Sequence, residues 1–421
     1  MSCTNSEFLR QLFDIAVSAA DPMKVVPAAL PQKPCGRVVV IGAGKASARM
    51  AEAVESVWGP CEGLVITRYG YARPAKGIEI VEAAHPVSDE AGLLATKRIL
   101  QMLENLGEGD FVLSLISGGG SALFCAPAGN MTLADKQQVH QALLKSGAPI
   151  AQMNVVRKHI SRVKGGQLAA AAYPAPMLNL LISDVPGDNP ADIASGPTVG
   201  ESSTQSDVQN IIAAYDLNLP LTAKEVLSGK SSVIAPGDPM LSKTTNVIVA
   251  APSASLAKAR ELATKRGFDV QILGDAIEGE AREEAARQVE LARKIQGTLT
   301  PGHKPVLLLS GGECTVSNWG GGVGGPNAEF ALAAAIALKS QPGIYLLACD
   351  TDGVDGAAEV AGAWVSPDTL ALAASKNIDP ALALKNSDSH GFFEKIDAQI
   401  ITGPTLTNVN DFRAILISPL A

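Results

Sequence analysis

Unbroken apolar runs alternate along this chain with Ala-rich amphipathic stretches, and that alternation constrains the fold more than any single motif. Strand candidates fall at residues 38–41, 63–67, 78–82, 111–116, 177–183, 246–250, 269–273, 306–310, 344–349 and 398–402. Helical patterns such as 45–58, 89–105, 133–146 and 280–295 lie between them. Strands apolar on both faces, joined by helical crossovers, predict parallel sheets covered by helices on each side. At 421 residues the chain exceeds one compact core. Ser, Pro and Gly gather at 231–243 before the strand–helix pattern restarts, so a domain boundary is expected near residue 240. The predicted fold is α/β: two α/β/α domains, 1–240 and 241–421, the first Rossmann-like with a mostly parallel sheet, and an active-site cleft between them.

Composition narrows the function. Hydrophobic residues make up 47% and aromatic ones only 4%, which suits small-residue helices packed closely on sheets. With 34 basic against 42 acidic residues and no basic block, nucleic acid and anionic membranes are poor partners. No apolar run reaches the ~18–20 residues that span a bilayer, and no basic, then apolar, leader is visible. Cys3, Cys35, Cys61, Cys125, Cys314 and Cys349 form no C-x-x-C pair. Buried free thiols in a reducing cytoplasm are expected, without a disulfide frame or zinc site. The five histidines share no H-x-x-x-H spacing.

Two glycine turns follow strands. The first is GAGKAS at 42–47, where Gly42 and Gly44 precede Lys45. Such a turn entering a helix is a usual phosphate site. Its G-x-G-x-x-S pattern is near a dinucleotide fingerprint, yet the next strand ends in Thr67 and Arg68 without the acidic residue that fingerprint needs. Val39 and Ala46 break the Walker A spacing. The second turn, SGGGSAL at 117–123, places Gly118, Gly119 and Gly120 between Ser117 and Ser121, a backbone nest for an anion.

Three further patterns carry charge. NVVRKHISRVKGG at 154–166 reads as a basic helix that begins at Asn154 and in which Arg157, Lys158, Arg162 and Lys164 can offer a cationic edge to phosphates; a solvated helix face is the plain alternative. A strand near 182 ends in Asp184 and Asp188, and another near 349 in Asp350, Asp352 and Asp355. Carboxylates at strand ends sit where α/β ligands bind and suit Mg²⁺, although Asp–Gly turns need no ligand. Glu313 and Asn408 lie in polar turns of the second half.

Taken in order, these motifs resemble the class II glycerate 2-kinase family, whose members join a large glycerate-kinase domain to a C-terminal MOFRL domain, here with a core at about 305–415. GAGKAS, SGGGSAL, NVVRKHISRVKGG, SDVPGDNPADIASGPTV at 183–199, LSGGECTV at 309–316, DTDGVDG at 350–356 and TGPTLTNVND at 402–411 carry the resemblance over nearly the whole chain. It implies ATP, Mg²⁺ and phosphorylation of D-glycerate to 2-phosphoglycerate. Lys45 matches the family's functional lysine. On this reading Lys45, Asp184 and Asp188 are catalytic, Asp350 and Asp352 bind metal, and Gly42, Gly44, Ser117, Gly118, Gly119, Gly120, Ser121, Asn154, Arg157, Lys158, Lys164, Glu313 and Asn408 hold the cofactor. Many members carry arginine where this chain has Pro326. Relatives with this variant are often labelled hydroxypyruvate reductase, which keeps an NAD(P)H-dependent reductase as the alternative and a non-catalytic metabolite sensor as a third class. Glycerate is the expected partner, and a homodimer is left open.

Overall fold

The first sheet grows outward from β1 (Val38–Ala43), whose six residues are all buried. In the computed structural model, which describes residues 2–317, 320–356 and 358–420, β1 pairs in parallel with β2 (Glu62–Arg68) on one side and β4 (Phe111–Ile116) on the other. β3 (Ile78–Ala83) extends the sheet beyond β2, and β5 (Met177–Ile182) and β6 (Thr244–Ala250) extend it beyond β4, giving the order β3-β2-β1-β4-β5-β6. Asn179 on β5 donates to Asn246 on β6 at 2.9 Å, a side-chain tie between the last two strands. The strand order reverses between β1 and β4, and the turns leaving their carboxyl ends lie at that switch point, where ligands of open α/β sheets bind.

The second sheet has the order β11-β10-β9-β12-β8-β7, built from β7 (Asp269–Glu280), β8 (Val306–Thr315), β9 (Ile344–Asp350), β10 (Gly362–Val365), β11 (Gln399–Ile400) and β12 (Asp411–Ile417). Here the parallel expectation fails. β7 and β8 are parallel, but β12 runs antiparallel to both β8 and β9, and β10 antiparallel to β9 and β11. The link from β9 to β10 is too short for a crossover helix, which leaves only an antiparallel neighbour. A strand buried on both faces reads as a continuous apolar run in either direction.

The compact units divide mainly at Val249/Ala250, within ten residues of the boundary expected near 240, but two short segments cross that division. One comprises Pro22–Ser183 and Asp188–Val249; the other joins the segment up to Asp21, the piece Asp184–Gly187 and the stretch from Ala250 onward. Packing explains why the N-terminal segment joins the later unit. In the helix Ser2–Ala19, Leu9, Leu12 and Phe13 are fully buried against Leu307, Leu347 and Phe412 of the second sheet, and Phe8 stacks on Phe268 with ring centroids 4.7 Å apart. Each such side chain contributes about 1.5–3 kcal/mol of burial, so the helix belongs to that core whatever its distance in sequence. Cys61, Cys125, Cys314 and Cys349 are buried free thiols as expected, whereas Cys35 is exposed; the side chain of Cys3 lies outside the described residues. Among the described residues no helix is long and apolar enough to cross a membrane.

Candidate active site

The Gly42–Lys45 turn is closed by the protein itself. The Gly44 amide donates to Ile66 O at 3.1 Å, Lys45 N to Gly118 O at 2.8 Å, Ala46 N to Ser117 Oγ at 3.0 Å and Ser47 N to Gly44 O at 3.2 Å. Four consecutive amides thus have partners without a ligand. A side chain at Gly42 would overlap the Leu115 backbone, and one at Gly44 would fall 2.6 Å from Ser117 O. These glycines let β1 and β4 approach, so the expectation that Gly42 and Gly44 cradle a phosphate gives way to a packing role.

The turn after β4 is different. Among the described residues the amides of Gly118, Gly119 and Ser121 have no protein acceptor. Gly119 has φ 79°, a conformation suited to glycine, and a Cβ there would lie 3.0 Å from the His85 ring and 3.3 Å from Lys45 Cγ. The half-buried Lys45 therefore flanks this turn with its aliphatic stem. Ser117 is spent on the first turn, and Gly120 donates to Ser117 O at 3.2 Å.

Gly119 and Ser121 also line a cavity of 320 Å³ whose charged walls are Lys136, Arg157 and Lys164, with His85 and His140 beside them and, among the described residues, no carboxylate. Lys136 Nζ donates to Ser88 Oγ at 2.8 Å and lies 3.3 Å from Cys125 Sγ. Arg157 donates through Nη1 to Asn154 Oδ1 at 3.1 Å and pairs through Nη2 with His140 Nδ1 at 3.1 Å, while its buried Nε has no partner. Lys164 Nζ reaches Ser121 O at 2.7 Å and Ser121 Oγ at 2.9 Å. None of the three forms an ion pair among the described residues. Burial, then the charges of Lys136 and Arg157, pushes the Lys164 ammonium well below its usual range. Burial, then Arg157 and Lys136, likewise lowers His140, and burial lowers Arg157. Every one of these strains is relieved by an anion in the cavity.

Other expected residues fall elsewhere. The basic stretch is helical only over Ile150–His159, so Lys158 and the exposed Arg162 are not neighbours on one helix. Lys158 is turned to Glu201, Nζ to Oε2 2.5 Å, with both side chains buried. That pair already neutralises the lysine. Glu313 is exposed on β8. Asn408 donates to Asp184 Oδ2 at 3.4 Å, joining two expected residues within one unit. Asp188 belongs to the other unit, and its Oδ1 is buried without a partner. Asp350 Oδ1 accepts from Asp352 N, and Asp352 Oδ1 from Val354 N, each at 2.8 Å. Sequence reasoning missed Lys136, His140 and His85. Lys136 and His140 stand one turn apart on the helix Leu133–Ser146, a spacing that was there to be read.

A Rossmann-like sheet with a cationic cavity at its switch point is the architecture of an α/β enzyme. The comparisons agree with that class. Residues 8–228 match the family model described as a domain of unknown function, DUF4147, and 306–411 match the MOFRL family. The D-glycerate 2-kinase of Thermotoga maritima is 38% identical over 94% of this chain and 94% of its own length. A crystal structure of glycerate kinase from the same organism superimposes with a TM-score of 0.89 at 37% identity, covering 99% of this chain and 100% of that one. An Agrobacterium vitis protein named, provisionally, a hydroxypyruvate reductase is 49% identical over 98% of this chain and 94% of its own. The chain belongs to the glycerate 2-kinase family, in which a DUF4147 domain precedes a MOFRL domain.

Proposed function

We propose that the chain transfers the γ-phosphoryl group of ATP to the 2-hydroxyl of D-glycerate, with Mg²⁺, in the cytoplasm. The observation that carries this reading is the cavity of Lys136, Arg157 and Lys164, three basic side chains with no carboxylate partner among the described residues, beside the open amides of Gly118, Gly119 and Ser121. Phosphoryl transfer asks chiefly for positioning and charge neutralisation, which fixed cations and oriented amides supply. Bound ATP and Mg²⁺ supply the phosphoryl group and the neutralising charge on its oxygens.

The residues fit that group. Lys136 and Arg157, the Lys164 amine that a bound anion charges, and a set of amides without acceptors among the described residues match a polyphosphate or a carboxylate. Asp350 and Asp352 offer hard oxygens at and just beyond the end of β9. That suits Mg²⁺, which binds through one or two carboxylates and takes its remaining oxygens from phosphates and water. Lys45, alongside Gly119, is assigned to charge stabilisation at the transferring group. Asp188, with an unsatisfied carboxylate oxygen, is the better of the two strand-end aspartates to accept the hydroxyl proton; Asp184 already shares a hydrogen bond with Asn408.

The reductase alternative draws on the names of relatives such as the Agrobacterium vitis protein. Against it, the turn that resembles a dinucleotide fingerprint has no amide left for a pyrophosphate, and the Thr67 hydroxyl that ends the next strand donates to Gly44 O at 3.1 Å. A paired assay decides. ADP and 2-phosphoglycerate from glycerate and Mg-ATP support the kinase; oxidation of NADH or NADPH by hydroxypyruvate, with no product in the first tube, overturns it. Binding without turnover in either tube marks a sensor.

A further inference from the structure

Ser121 is held in a way that anion binding alone does not require. Its Oγ receives Lys164 Nζ at 2.9 Å on one side and meets Ser195 Oγ at 2.8 Å on the other. Lys164 is only 2% exposed and has no carboxylate partner among the described residues, so the Ser121 carbonyl, 2.7 Å from Nζ, is left to accept from either the ammonium or the neutral amine. Ser195 is 2% exposed and held at φ 63°, with its carbonyl fixed by the Gly165 amide at 3.2 Å. Of the three, Ser121 and Lys164 reach the cavity. The amides of Ser121 itself and of Gly119, two residues before it, are both unpaired, the relation that a serine nucleophile and its oxyanion donors commonly share.

We propose that Ser121, with Lys164 as its proton acceptor and Ser195 as an orienting donor, is an activated nucleophile that gives this cavity an acyl-transfer activity on esters of small anionic acyl groups, such as dicarboxylic acid half-esters. Lys136 and Arg157 select the anionic end of the acyl group, and the apolar side chains of Val87 and Val139 line the same cavity. Burial, reinforced by Lys136 and Arg157, favours the neutral amine that the base role needs. Ser121 Oγ forms a bond to the ester carbonyl carbon while its proton passes to Lys164 Nζ. The tetrahedral oxyanion then expels the alcohol, which takes that proton from Lys164. Water adds to the acyl-serine, giving its proton to Lys164, and the carboxylic acid leaves as Ser121 Oγ is reprotonated. The sum is ester plus water to acid plus alcohol. An inorganic anion seated against Lys164 Nζ itself returns that amine to its charged form, so occupancy there, unlike a carboxylate held at Lys136 and Arg157, excludes nucleophilicity.

The test is labelling of the full chain with a fluorophosphonate, read by intact mass and peptide mapping. One adduct on Ser121 of the unmodified protein is expected, slowed at least tenfold by saturating inorganic phosphate. Lys164→Met is expected to label at least about 100-fold more slowly, the scale of removing a general base, and Ser121→Ala not at all. The p-nitrophenyl half-ester of succinate should turn over with the same ranking and faster than p-nitrophenyl acetate. No adduct on Ser121 in the unmodified protein, or an adduct at an unchanged rate in a Lys164→Met protein of unaltered melting temperature, overturns the assignment.

Discussion

Lys158 Nζ lies 2.5 Å from Glu201 Oε2, with the two side chains 7% and 9% exposed. Burial pushes the Glu201 carboxyl up, but Lys158 and the Ser203 amide and hydroxyl outweigh it and hold the group below its usual range. Its contribution is therefore complete above the ordinary glutamate pKa of about 4.3 and is lost as pH falls through the lowered folded value. Lys158→Met leaves a buried carboxylate unpaired and is expected to cost about 3–5 kcal/mol, with Lys158→Met/Glu201→Leu recovering most of it. Denaturant melts at neutral pH check both. An unchanged midpoint in the single variant removes the pair from the stability of the fold.

Gly44→Ala distinguishes a packing glycine from a phosphate-contacting one. A Cβ at 2.6 Å from Ser117 O must push β1 from β4, at about 1–3 kcal/mol. The melting temperature should fall whether or not nucleotide is present. Loss of nucleotide affinity at an unchanged melting temperature would instead return this turn to the binding site.

Much of this was legible in the sequence, and what was not has physical causes. The first sheet could be read because β1, β2, β4 and β5 are apolar on both faces and bounded by glycine turns. β12, central in the second sheet, could not. Its first residue, Asp411, closes the polar TGPTLTNVND stretch, and the charged Arg413 two positions on interrupts the apolar run that follows. In the fold Arg413 is fully buried, pairs with Asp411 and lies with its guanidinium 5.2 Å from the Phe330 ring centroid. Such a pair shows itself only once both charges are seen to be covered. Ser121 and Lys164 were readable as an anion loop and a basic residue. Their mutual contact was not, since 43 positions separate them in sequence.

A second titration should act in the opposite direction. His390 Nε2 lies 3.2 Å from Asp355 Oδ2 and 3.0 Å from Asp355 O, while the same carboxylate accepts the Asn327 and Ala328 amides at 2.9 and 2.8 Å. Burial pushes the imidazole down, yet the Asp355 hydrogen bonds and charge raise it above the usual value. A raised histidine stabilises fully below its unfolded pKa of about 6.5 and loses that contribution as pH rises through the folded value. Stability should decline from pH 6.5 upward. Asp355→Asn should flatten that slope and also weaken the start of the helix Pro326–Leu338; a slope that persists in the variant assigns the pH dependence to other groups.

Lys45 and Lys136 should separate turnover from binding. Lys136 lines the cavity and its Nζ bonds Ser88 and Cys125 without an ion pair among the described residues, so it is placed to hold an anion equally in the ground and transition states. Removing uniform binding raises KM and leaves kcat alone. Lys136→Met is therefore expected to raise KM for one anionic substrate about tenfold or more, the worth of one hydrogen bond to a charged group. Lys45 stands beside Gly119, where charge is assigned to develop on the transferring group. Lys45→Ala should remove at least about 2 kcal/mol of transition-state stabilisation, roughly a thirtyfold fall in kcat, with KM little changed. Steady-state kinetics with glycerate and Mg-ATP read the two patterns apart. If Lys45→Ala instead raises KM alone, the lysine belongs to substrate holding, and stabilisation of the transferring charge passes to the cavity cations.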